Sequence, residues 1–446
     1  MGQCQAANSL YNCGLYEFKQ RHYKQLEKDG GYSNYWKGDE YRHSWKLRRI
    51  TATSKYEIDK VLQALEPYKL LAAQSAQQVL DLLQQDINSS NSLVGKFFKG
   101  EVGRPRIPKY RKSGGLMAVT IKGQSLRFKD GFAYPSVSKL SKPDVMGDIK
   151  LEVPLFVDTN LVRQVRVRPS RGDFWVDWIC DDGFDSGKCK KMLIPNKVMA
   201  IDHGVKFWLN AVTSTGKSFI LEAPQLKTAT WKYQKKVKQY KEGKVDFYWD
   251  EHLDKITGKY NRQIRDAVNK ACRFLINRCL KERIGTIVIG WNKDNKQNID
   301  MGRKNNYEVV MMPTARLIKR LGELCDEYGI KLIVTSEEYT SKASFKHLAD
   351  LPKYGEKPRD WNPRGKRISR DMYRNDDGSE VHADINAAGN ILRKVADLVF
   401  TSRLFLNQAY SMIKKGALTD PKRYSLYGNL KRKYRSAALA HAGTSA

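Results

Sequence analysis

An apolar run that ends in a carboxylate most constrains how this sequence can fold. Residues 198–204 read Val-Met-Ala-Ile-Asp-His-Gly, and a second apolar run at 207–212 leads into a Thr-Ser-Thr-Gly-Lys turn. This pattern predicts a β-hairpin with Asp202 at the end of a buried first strand. Burial of a carboxylate is costly unless its charge is compensated. Asp202 is therefore either a metal ligand or a cap on backbone N–H groups, and this run alone favours neither.

Two later stretches repeat the arrangement. The apolar strand predicted at 331–335 runs into two neighbouring acids, Glu337 and Glu338, and Asp384 starts a helical pattern with small residues at 387–389. Those small residues would let the helix approach a sheet closely and bring Asp384 to the strand ends, although a helix cap is the ordinary role of such an acid. Together the acids predict a site for two Mg²⁺ ions that clamp the attacking water and the leaving oxygen of a phosphodiester.

The charge indicates a polyanionic partner. The 446 residues include 80 Lys and Arg against 48 Asp and Glu, a net charge of +32. This excess excludes an ordinary enzyme of small metabolites and favours nucleic acid, and its spread along the chain predicts a long surface or channel. Seven cysteines with no C-x-x-C pair indicate a reduced, cytoplasmic protein. No apolar run reaches transmembrane length, so no membrane partner is expected.

Changes in periodicity predict a multidomain α+β protein. Residues 1–115 form a helical lobe whose second helix spans 56–86, stops at the polar stretch 88–92 and leads to a basic linker at 96–115. A β-rich domain follows at 116–195. The third domain is an α/β layer structure at 196–400, with strands at 286–289 and 331–335 and helices at 226–241, 253–283, 314–328 and 384–400. Residues 401–446 are predicted to be a basic, loosely held tail.

Eleven basic residues are candidates for nucleic-acid binding. Those of the proline-punctuated linker suit a rigid loop against phosphates, and a solvated linker is the alternative. The others lie on a predicted strand and around the acidic stretches. The candidates are Arg104, Arg106, Lys109, Arg111, Lys112, Arg163, Arg166, Arg168, Lys342, Lys366 and Arg367.

Four stretches resemble one family. The sequences Ala-Ile-Asp-His-Gly at 200–204, Ile-Val-Ile-Gly-Trp-Asn-Lys at 287–293, Tyr-Thr-Ser-Lys-Ala-Ser-Phe at 339–345 and His-Ala-Asp-Ile-Asn-Ala-Ala at 382–388 resemble TnpB. TnpB is the RNA-guided endonuclease of bacterial insertion sequences and a relative of type V CRISPR effectors. The resemblance implies a RuvC-like nuclease domain with an RNase H fold, a helical recognition lobe and a β-barrel wedge domain.

The resemblance also implies partners and a site. The partners are a guide RNA and target DNA, double-stranded and single-stranded, beside a short adjacent motif, in the cytoplasm of a bacterium and associated with its nucleoid. Asp202, Glu337 and Asp384 are the implied catalytic residues and ligands of Mg²⁺. The guide's origin, the adjacent motif and the oligomeric state stay open.

Three departures from the family pattern stand out. The strand at 286–289 is followed by Gly290-Trp291-Asn292-Lys293 instead of an acid, as in a subset of the family whose glutamate moves to the next strand. Glu337 or Glu338 fits that position, and Glu337 is favoured. The target-loading insertion at about 344–381 lacks the four cysteines of a zinc ribbon, so no zinc is expected. Third, the family usually begins with a strand of the wedge domain, and this sequence starts after that strand. Either the chain is shortened or the lineage differs.

A zinc-free insertion needs another source of order. One hypothesis is that nucleic acid orders it through the basic run 364–367, and another is that Trp361 and Tyr354 pack as an apolar knot. Four aspartates of the insertion are interpreted as solvated loop charges. They are Asp360, Asp371, Asp376 and Asp377.

Two other functions compete with the nuclease. An RNA-guided protein that binds DNA without cutting is favoured by the missing acid at Gly290, whereas Asp202, Glu337 and Asp384 favour cleavage. A general basic nucleic-acid chaperone explains the charge but not the three acids.

Overall fold

The protein is described by a computed structural model that covers residues 1–428 except 38–39, 52, 139, 141–148, 182–185, 205–206, 293–311, 354 and 401. The chain divides into two compact units, Met1–Phe184 and Asp185–Ala446. Both combine helices and sheets, so the predicted mixed, multidomain class is confirmed.

The first unit begins with helices. They are α1 (Gly2–Lys28), α2 (Lys55–Leu62), α3 (Glu66–Lys69) and α4 (Ala73–Phe98). The helix predicted at 56–86 is broken near Pro67, where α2 has ended and α3 begins, and the predicted stop at 88–92 is wrong because α4 continues through it. Asn91 does not compete with the helix there: its side chain exchanges hydrogen bonds of 2.7 and 3.0 Å with the backbone N–H and C=O of Ile50.

The same unit contains a hairpin and two small sheets. Its strands are β1 (Tyr32–Lys37), β2 (Glu40–Trp45), β3 (Val119–Lys122), β4 (Leu126–Lys129), β5 (Phe132–Pro135), β6 (Leu151–Glu152), β7 (Val162–Ser170) and β8 (Asp173–Cys180). Strands β1 and β2 pair with each other, and the sheets have the orders β3-β7-β8 and β4-β5-β6. The predicted β-barrel is therefore wrong for the described residues. Closure requires every strand edge to be paired, and these two sheets do not pair with each other.

The second unit is organised around a six-stranded sheet whose strands, in order across it, are β13 (Lys331–Thr335), β12 (Ile284–Gly290), β9 (Ile194–His203), β10 (Leu209–Thr213), β11 (Ser218–Glu222) and β17 (Lys422–Ser425). Its strands β9 to β11 form an antiparallel meander, β12 and β13 run parallel to β9, and β17 runs parallel to β11. The elements up to β13 are α5 (Ser186–Met192), β9 (Ile194–His203), β10 (Leu209–Thr213), β11 (Ser218–Glu222), α6 (Pro224–Lys241), α7 (Glu251–Glu282), β12 (Ile284–Gly290), α8 (Thr314–Tyr328) and β13 (Lys331–Thr335). The predicted hairpin, the strands predicted at 286–289 and 331–335 and the helices predicted at 226–241, 253–283 and 314–328 are confirmed.

The remaining elements complete the sheet and cover it. They are β14 (Gly365–Arg367), β15 (Met372–Asn375), β16 (Glu380–His382), α9 (Ala383–Lys394), α10 (Ala396–Val399), α11 (Arg403–Met412), a π-helical turn (Ile413–Ala417) and β17 (Lys422–Ser425). The helix predicted at 384–400 is thus two helices. The described part of the predicted loose tail is instead ordered, because β17 pairs with β11 at the edge of the central sheet.

Side chains of β9 point alternately to the two faces of the sheet, and helices cover both faces. Met199 and Ile201 lie in a buried cluster with residues of α7 and α8, whereas Val198 and Ala200 lie in a second cluster with residues of α9. Since successive side chains of a strand point to opposite faces, an unbroken apolar run predicts a strand buried on both sides. No described helix has the length and apolar content needed to cross a membrane.

Candidate active site

The C-terminal ends of three parallel strands meet at one edge of the central sheet. Gly290 closes β12 and pairs with Thr335 of β13, while Ile289 pairs with Ile201 of β9. This register places Asp202 beside the end of β12. The carboxyl ends of parallel strands are the usual place for a ligand in an open α/β sheet.

Gly290, at the end of β12, lies close to the side chain of Glu337. A Cβ atom at residue 290 would lie 3.4 Å from the Cβ of Glu337, and 2.5 Å from the Cδ1 of Ile391 in α9. A side chain on the end of β12 would therefore collide with α9. Glu337, two residues beyond β13, occupies the region that an acid on the end of β12 would reach. This geometry gives a physical reason for the absent acid after β12 and supports the choice of Glu337.

Glu338 faces another environment. Its Oε2 accepts a hydrogen bond of 3.1 Å from the Nζ of Lys394, and that ammonium also binds the Oγ of Ser336. Partial burial favours the protonated form, but hydrogen bonds from Ser336 and Lys394 hold the pKa of Glu338 below its usual value. Glu338 is therefore half of an ion pair.

Two asparagines one helical turn apart connect α9 to the Tyr-Thr-Ser-Lys-Ala-Ser-Phe stretch. Asn386 accepts a hydrogen bond from Phe345 N and donates one to Ala343 O, each of 2.8 Å. Asn390 donates to Thr340 O at 2.9 Å and to Ala343 O at 2.7 Å. Both asparagines are fully buried. This clamp, which the sequence analysis missed, fixes the start of α9 against the segment that follows Glu337.

The small residues of α9 also allow close contact, as predicted. A Cβ atom at Gly389 would lie 2.7 Å from the ring of Phe345. Ala388 lies in the buried cluster that contains Val198 and Ala200 of β9. Asp384, in the first turn of this helix, is consequently held near the strand ends.

The electrostatics of Asp202 show that the three acids are close. Burial raises the pKa of Asp202 well above its usual range, and the nearby carboxylates of Asp384 and Glu337 raise it further. The Arg367 guanidinium and a hydrogen bond from Asn210 act in the opposite direction. Asn210 is the register partner of Asp202 on β10 and is fully buried. The acids therefore form one cluster from three separate elements.

Arg367 contacts this cluster directly. Its Nη2 donates a hydrogen bond of 2.8 Å to the Oδ1 of Asp384, and its guanidinium also binds the carbonyl oxygens of Ser369 and Arg370. Arg367 lies on β14, so the insertion at about 344–381 contacts the acids through a guanidinium. The sequence predicted a phosphate contact for Arg367, whereas in this structure the guanidinium binds a carboxylate.

The donor set matches a hard divalent cation, although the side chains do not form a closed ligand shell. Within the described ranges, no three His, Cys, Asp or Glu side chains are placed so that they could hold one metal ion. Carboxylate oxygens are nevertheless the ligands that Mg²⁺ takes. Burial, and then the carboxylates of Asp384 and Glu337, raise the pKa of Asp202 and so disfavour its charged form. A cation would compensate that negative charge.

The insertion has a small core of its own. Strands β14, β15 and β16 form an antiparallel sheet, and the buried Tyr373 donates hydrogen bonds to the carbonyl oxygens of Lys342 and Pro363. Asp377 is exposed, as predicted for a solvated charge, and it also pairs with Lys346 and accepts hydrogen bonds from Ser379, which lower its pKa. These contacts join parts of the insertion to one another.

The predicted apolar knot is described only in part. The ring of Trp361 packs edge-on against Tyr339, with 5.3 Å between ring centroids, and its Nε1 donates to Asp350 O. Tyr354 lies outside the described residues.

The basic linker is exposed and fixed to α1. Asn12 exchanges two hydrogen bonds with the backbone of Arg111, Asn8 donates to Lys112 O, and the Arg111 guanidinium lies 4.4 Å from the centroid of the Tyr11 ring. The side chains of its five candidates are exposed: Arg104, Arg106, Lys109, Arg111 and Lys112. They can meet phosphates without unfolding the unit.

The other candidates differ in their partners. Arg168 binds Asp177 through two hydrogen bonds of 3.0 and 3.2 Å, and Arg163 binds Asp181 at 2.9 Å. The Asp177 carboxylate raises the pKa of Arg168. These two arginines are thus engaged within their own unit. Arg166, Lys342 and Lys366 are exposed.

Comparisons with known proteins show what this chain is similar to. Residues 183–296 match the OrfB_IS605 family, described as probable transposase. A curated relative, the TnpB-like protein ORF457 of Acidianus two-tailed virus, is 23% identical over 214 residues, which cover 46% of this chain and 43% of the relative. The chain therefore matches less than half the length of that relative.

Solved structures give a weaker likeness. The chain is similar to a Cas12f1–sgRNA–target DNA complex, with a TM-score of 0.48, 13% identity and coverage of 87% of this chain and 81% of the other. A CRISPR–Cas12f ternary complex has a TM-score of 0.30, 14% identity and coverage of 87% and 80%. Neither score is high enough to carry an argument about function. The sequence matches show that the chain is similar to TnpB-like proteins and, over residues 183–296, to the OrfB_IS605 family, in agreement with its motifs.

Proposed function

We propose that this protein is an RNA-guided DNA endonuclease whose catalytic residues are Asp202, Glu337 and Asp384. The observation that carries the proposal is the geometry of the sheet edge, where the strand register and the end of β12 bring Asp202 and Glu337 together and Asp384 lies near enough for its charge to act on Asp202. Three acids from β9, the end of β13 and the start of α9 meet at one sheet edge. Such repulsion costs stability unless a bound group uses it.

The residues suit Mg²⁺ as that group. Asp202, Glu337 and Asp384 would hold the cations, which, when bound, activate a water and stabilise the leaving oxygen of a phosphodiester. Asn210 holds Asp202 in place across the β9–β10 pair, and the Asn386–Asn390 clamp holds Asp384. Arg367 neutralises Asp384 in the structure described, and its position on the exposed β14 strand would also let it meet a phosphate.

The finer architecture and the partners belong to the same proposal. Residues 196–400 are a RuvC-like domain of the RNase H type, and the first unit supplies a recognition lobe and a wedge without a closed barrel. A guide RNA and target DNA, double-stranded and then single-stranded, are the partners. The net charge of +32 and the exposed linker arginines support them. A nucleoid-associated, cytoplasmic location follows from such partners.

The test compares cleavage with binding. The purified protein, loaded with the RNA that it retains on expression, is given matched target DNA in the presence and absence of Mg²⁺. Asp202→Ala and Asp384→Ala are expected to abolish cutting while guide-dependent DNA binding stays within a few-fold of wild type. Normal Mg²⁺-dependent cutting by either variant would contradict the nuclease.

The second candidate is an RNA-guided DNA-binding protein that does not cut. The contact of Arg367 with Asp384 favours it, since this guanidinium occupies a carboxylate that a metal site needs. Guide-dependent DNA binding by the wild-type chain, without cleavage at any Mg²⁺ or Mn²⁺ concentration, would select this candidate.

Zinc has no part in the proposal. The insertion provides His347 and no cysteine, and a structural zinc needs about four thiolate or imidazole ligands. Elemental analysis is the test, and stoichiometric zinc that survives dialysis would contradict it.

A further inference from the structure

The helical hairpin of α6 and α7 extends beyond the core of the second unit. α6 is described throughout, and Leu226, close to its beginning, is its one buried residue. The buried cluster under the sheet takes in Leu226 of α6 and the residues of α7 from Ile264 onward. We call residues 227–259 the distal hairpin. Packing in the core of the unit therefore does not explain the length of this hairpin.

The distal hairpin is nevertheless well built. The rings of Tyr233 and Tyr260 stack with centroids 4.2 Å apart and planes at 6°. At the tip, the hydroxyls of Tyr240 and Tyr248 donate to the Oδ2 of Asp250 at 2.6 and 2.8 Å, and the Oδ1 of Asp250 caps α7 at Leu253 N. These bonds lower the pKa of Asp250 to about 2. The tip therefore has a defined shape.

The charge of α6 has one sign. The helix carries six lysines and no acid: Lys227, Lys232, Lys235, Lys236, Lys238 and Lys241. An exposed helix that only needs to stay soluble usually mixes both signs and gains i,i+4 ion pairs. Lys232 and Lys236 of α6 and Lys259 of α7 line one cleft of about 550 Å³ between the two helices. A stripe of this kind matches a row of phosphates.

Aromatic side chains stand among these lysines on the exposed surface. Trp231, Phe247 and Trp249 are exposed, Phe247 by 98%. Lysine ammonium groups lie over several rings, for example Lys235 over Trp231 at 5.3 Å and Lys241 over Trp249 at 5.2 Å. Aromatic faces within a basic groove are typical of proteins that bind unpaired nucleotides.

Neither backbone conformation nor burial explains why residue 247 is a phenylalanine. Its φ of +64° lies in the left-handed region, which glycine or asparagine adopts at lower cost than a bulky residue. It also gains almost nothing from burial. A large apolar residue that is both exposed and conformationally costly indicates a contact with another molecule.

We propose that the distal hairpin binds RNA, with the α6 lysines on phosphates and Phe247 stacked on an unpaired base at the tip. The observations favour RNA over duplex DNA because stacking needs a base outside a helix, which RNA loops and bulges present. The inference rests on the proposed function only in taking RNA as a partner of the chain. It adds the place and the chemistry of one contact, far from the acids in sequence.

The test measures RNA binding by the full chain, without DNA or Mg²⁺. The probes are a synthetic RNA stem-loop with a uridine-rich loop and the same stem as a blunt RNA duplex. Phe247→Ala and Phe247→Gly are expected to weaken stem-loop binding by about 5-fold to 100-fold, the range of one base–aromatic stack, and to leave duplex binding unchanged. Glycine relieves the left-handed strain, so Phe247→Gly should melt no lower than wild type.

The matched control is Phe156→Ala, since Phe156 is another exposed phenylalanine, 89% accessible, but without lysine within five residues on either side. It should bind both probes like wild type. Combined Lys232→Gln and Lys236→Gln should weaken both probes and lower the slope of log K against log salt by roughly 1.4–1.8.

Two outcomes separate this inference from the proposed function. Wild-type binding of the stem-loop with unchanged affinity in Phe247→Gly would overturn the inference alone. A wild-type chain that binds neither RNA would contradict the guide RNA of the proposed function as well. Loss of stem-loop binding in Phe247→Gly, with ultraviolet cross-links to uridine at Phe247 in wild type, is the expected result.

Discussion

The acidic sheet edge and the distal hairpin each bring like charges together, but in opposite environments. At the edge, Asp202, Glu337 and Asp384 come from three elements far apart in the sequence and are partly or largely buried. In the hairpin, like charges follow one another along a single helix and face solvent. The edge concentrates repulsion in a low-dielectric region, whereas the hairpin disperses it in water.

This difference predicts how each region responds to change. The positions of the three acids at the edge depend on sheet register, on Gly290 and on the Asn386–Asn390 clamp. Single changes there should therefore have large effects on cleavage or stability. The hairpin depends on local bonds around Asp250, and its exposed side chains should tolerate substitution with little effect on folding. The predictions below test this contrast, from the largest expected effect to the smallest.

The sharpest test compares two neighbouring glutamates. Glu337→Gln is expected to lower cleavage by at least about a thousandfold, as removal of a catalytic group does, because its carboxylate lies with Asp202. Glu338→Gln changes an ion pair with Lys394 and should keep cleavage within about tenfold of wild type. Initial rates on the same target DNA measure both. The reverse order of activities would assign the role to Glu338.

The clamp is the next test of the contrast. Asn386→Ala leaves Phe345 N and Ala343 O without that side-chain partner in a buried place, so the free energy of unfolding should fall by about 2–4 kcal/mol. Asn269, an exposed asparagine of α7 in the same unit, provides the control, and Asn269→Ala should change it by about 0.5 kcal/mol or less. Urea titration measures both. Equal changes in the free energy of unfolding would show that the clamp does not hold the acidic sheet edge in place.

The repulsion at the edge makes stability depend on pH. Since the folded-state pKa of Asp202 is raised, the native chain binds this proton more tightly than the unfolded chain does. Stability from this group is therefore greatest in acid and is lost as pH rises above the unfolded value of about 3.9. Asp202→Asn should raise Tm at neutral pH, by roughly 2–4 °C per kcal/mol of repulsion removed.

Two controls accompany the Asp202→Asn measurement. Near pH 4 and below, the Tm advantage of the variant should shrink, because the wild-type carboxyl is then protonated. Addition of Mg²⁺ at neutral pH should raise the Tm of wild type more than that of the variant. A variant that is less stable than wild type at neutral pH without Mg²⁺ would contradict the repulsion.

The smallest expected effect concerns single basic residues. Arg106→Gln in the exposed linker should reduce the salt slope of guide-dependent DNA binding by roughly 0.7–0.9. Arg168→Gln should leave it unchanged, because Asp177 already binds that guanidinium through two hydrogen bonds. Filter binding over a salt series measures both. Equal slopes for the two variants would show that exposure does not select the phosphate contacts.

The sequence alone determined strands β9, β10, β12 and β13 and helices α6 to α8 of the second unit. Apolar runs such as 198–201 and 286–289 predicted buried strands, and their continuous apolarity reflects burial on both faces of β9 and β12. It also predicted the family, since short motifs carry side chains that one type of site requires. Such local signals survive because strand and helix periodicity depend on neighbouring residues.

Only the tertiary structure decided how distant parts meet. The pairing of β17 with β11, the contact of Arg367 with Asp384 and the clamp by Asn386 and Asn390 join segments that share no local pattern. The same reason explains the wrong helix end at 88–92, where Asn91 gains its partner from Ile50. A side chain's role in these places depends on which group the fold brings opposite it, and periodicity does not encode that choice.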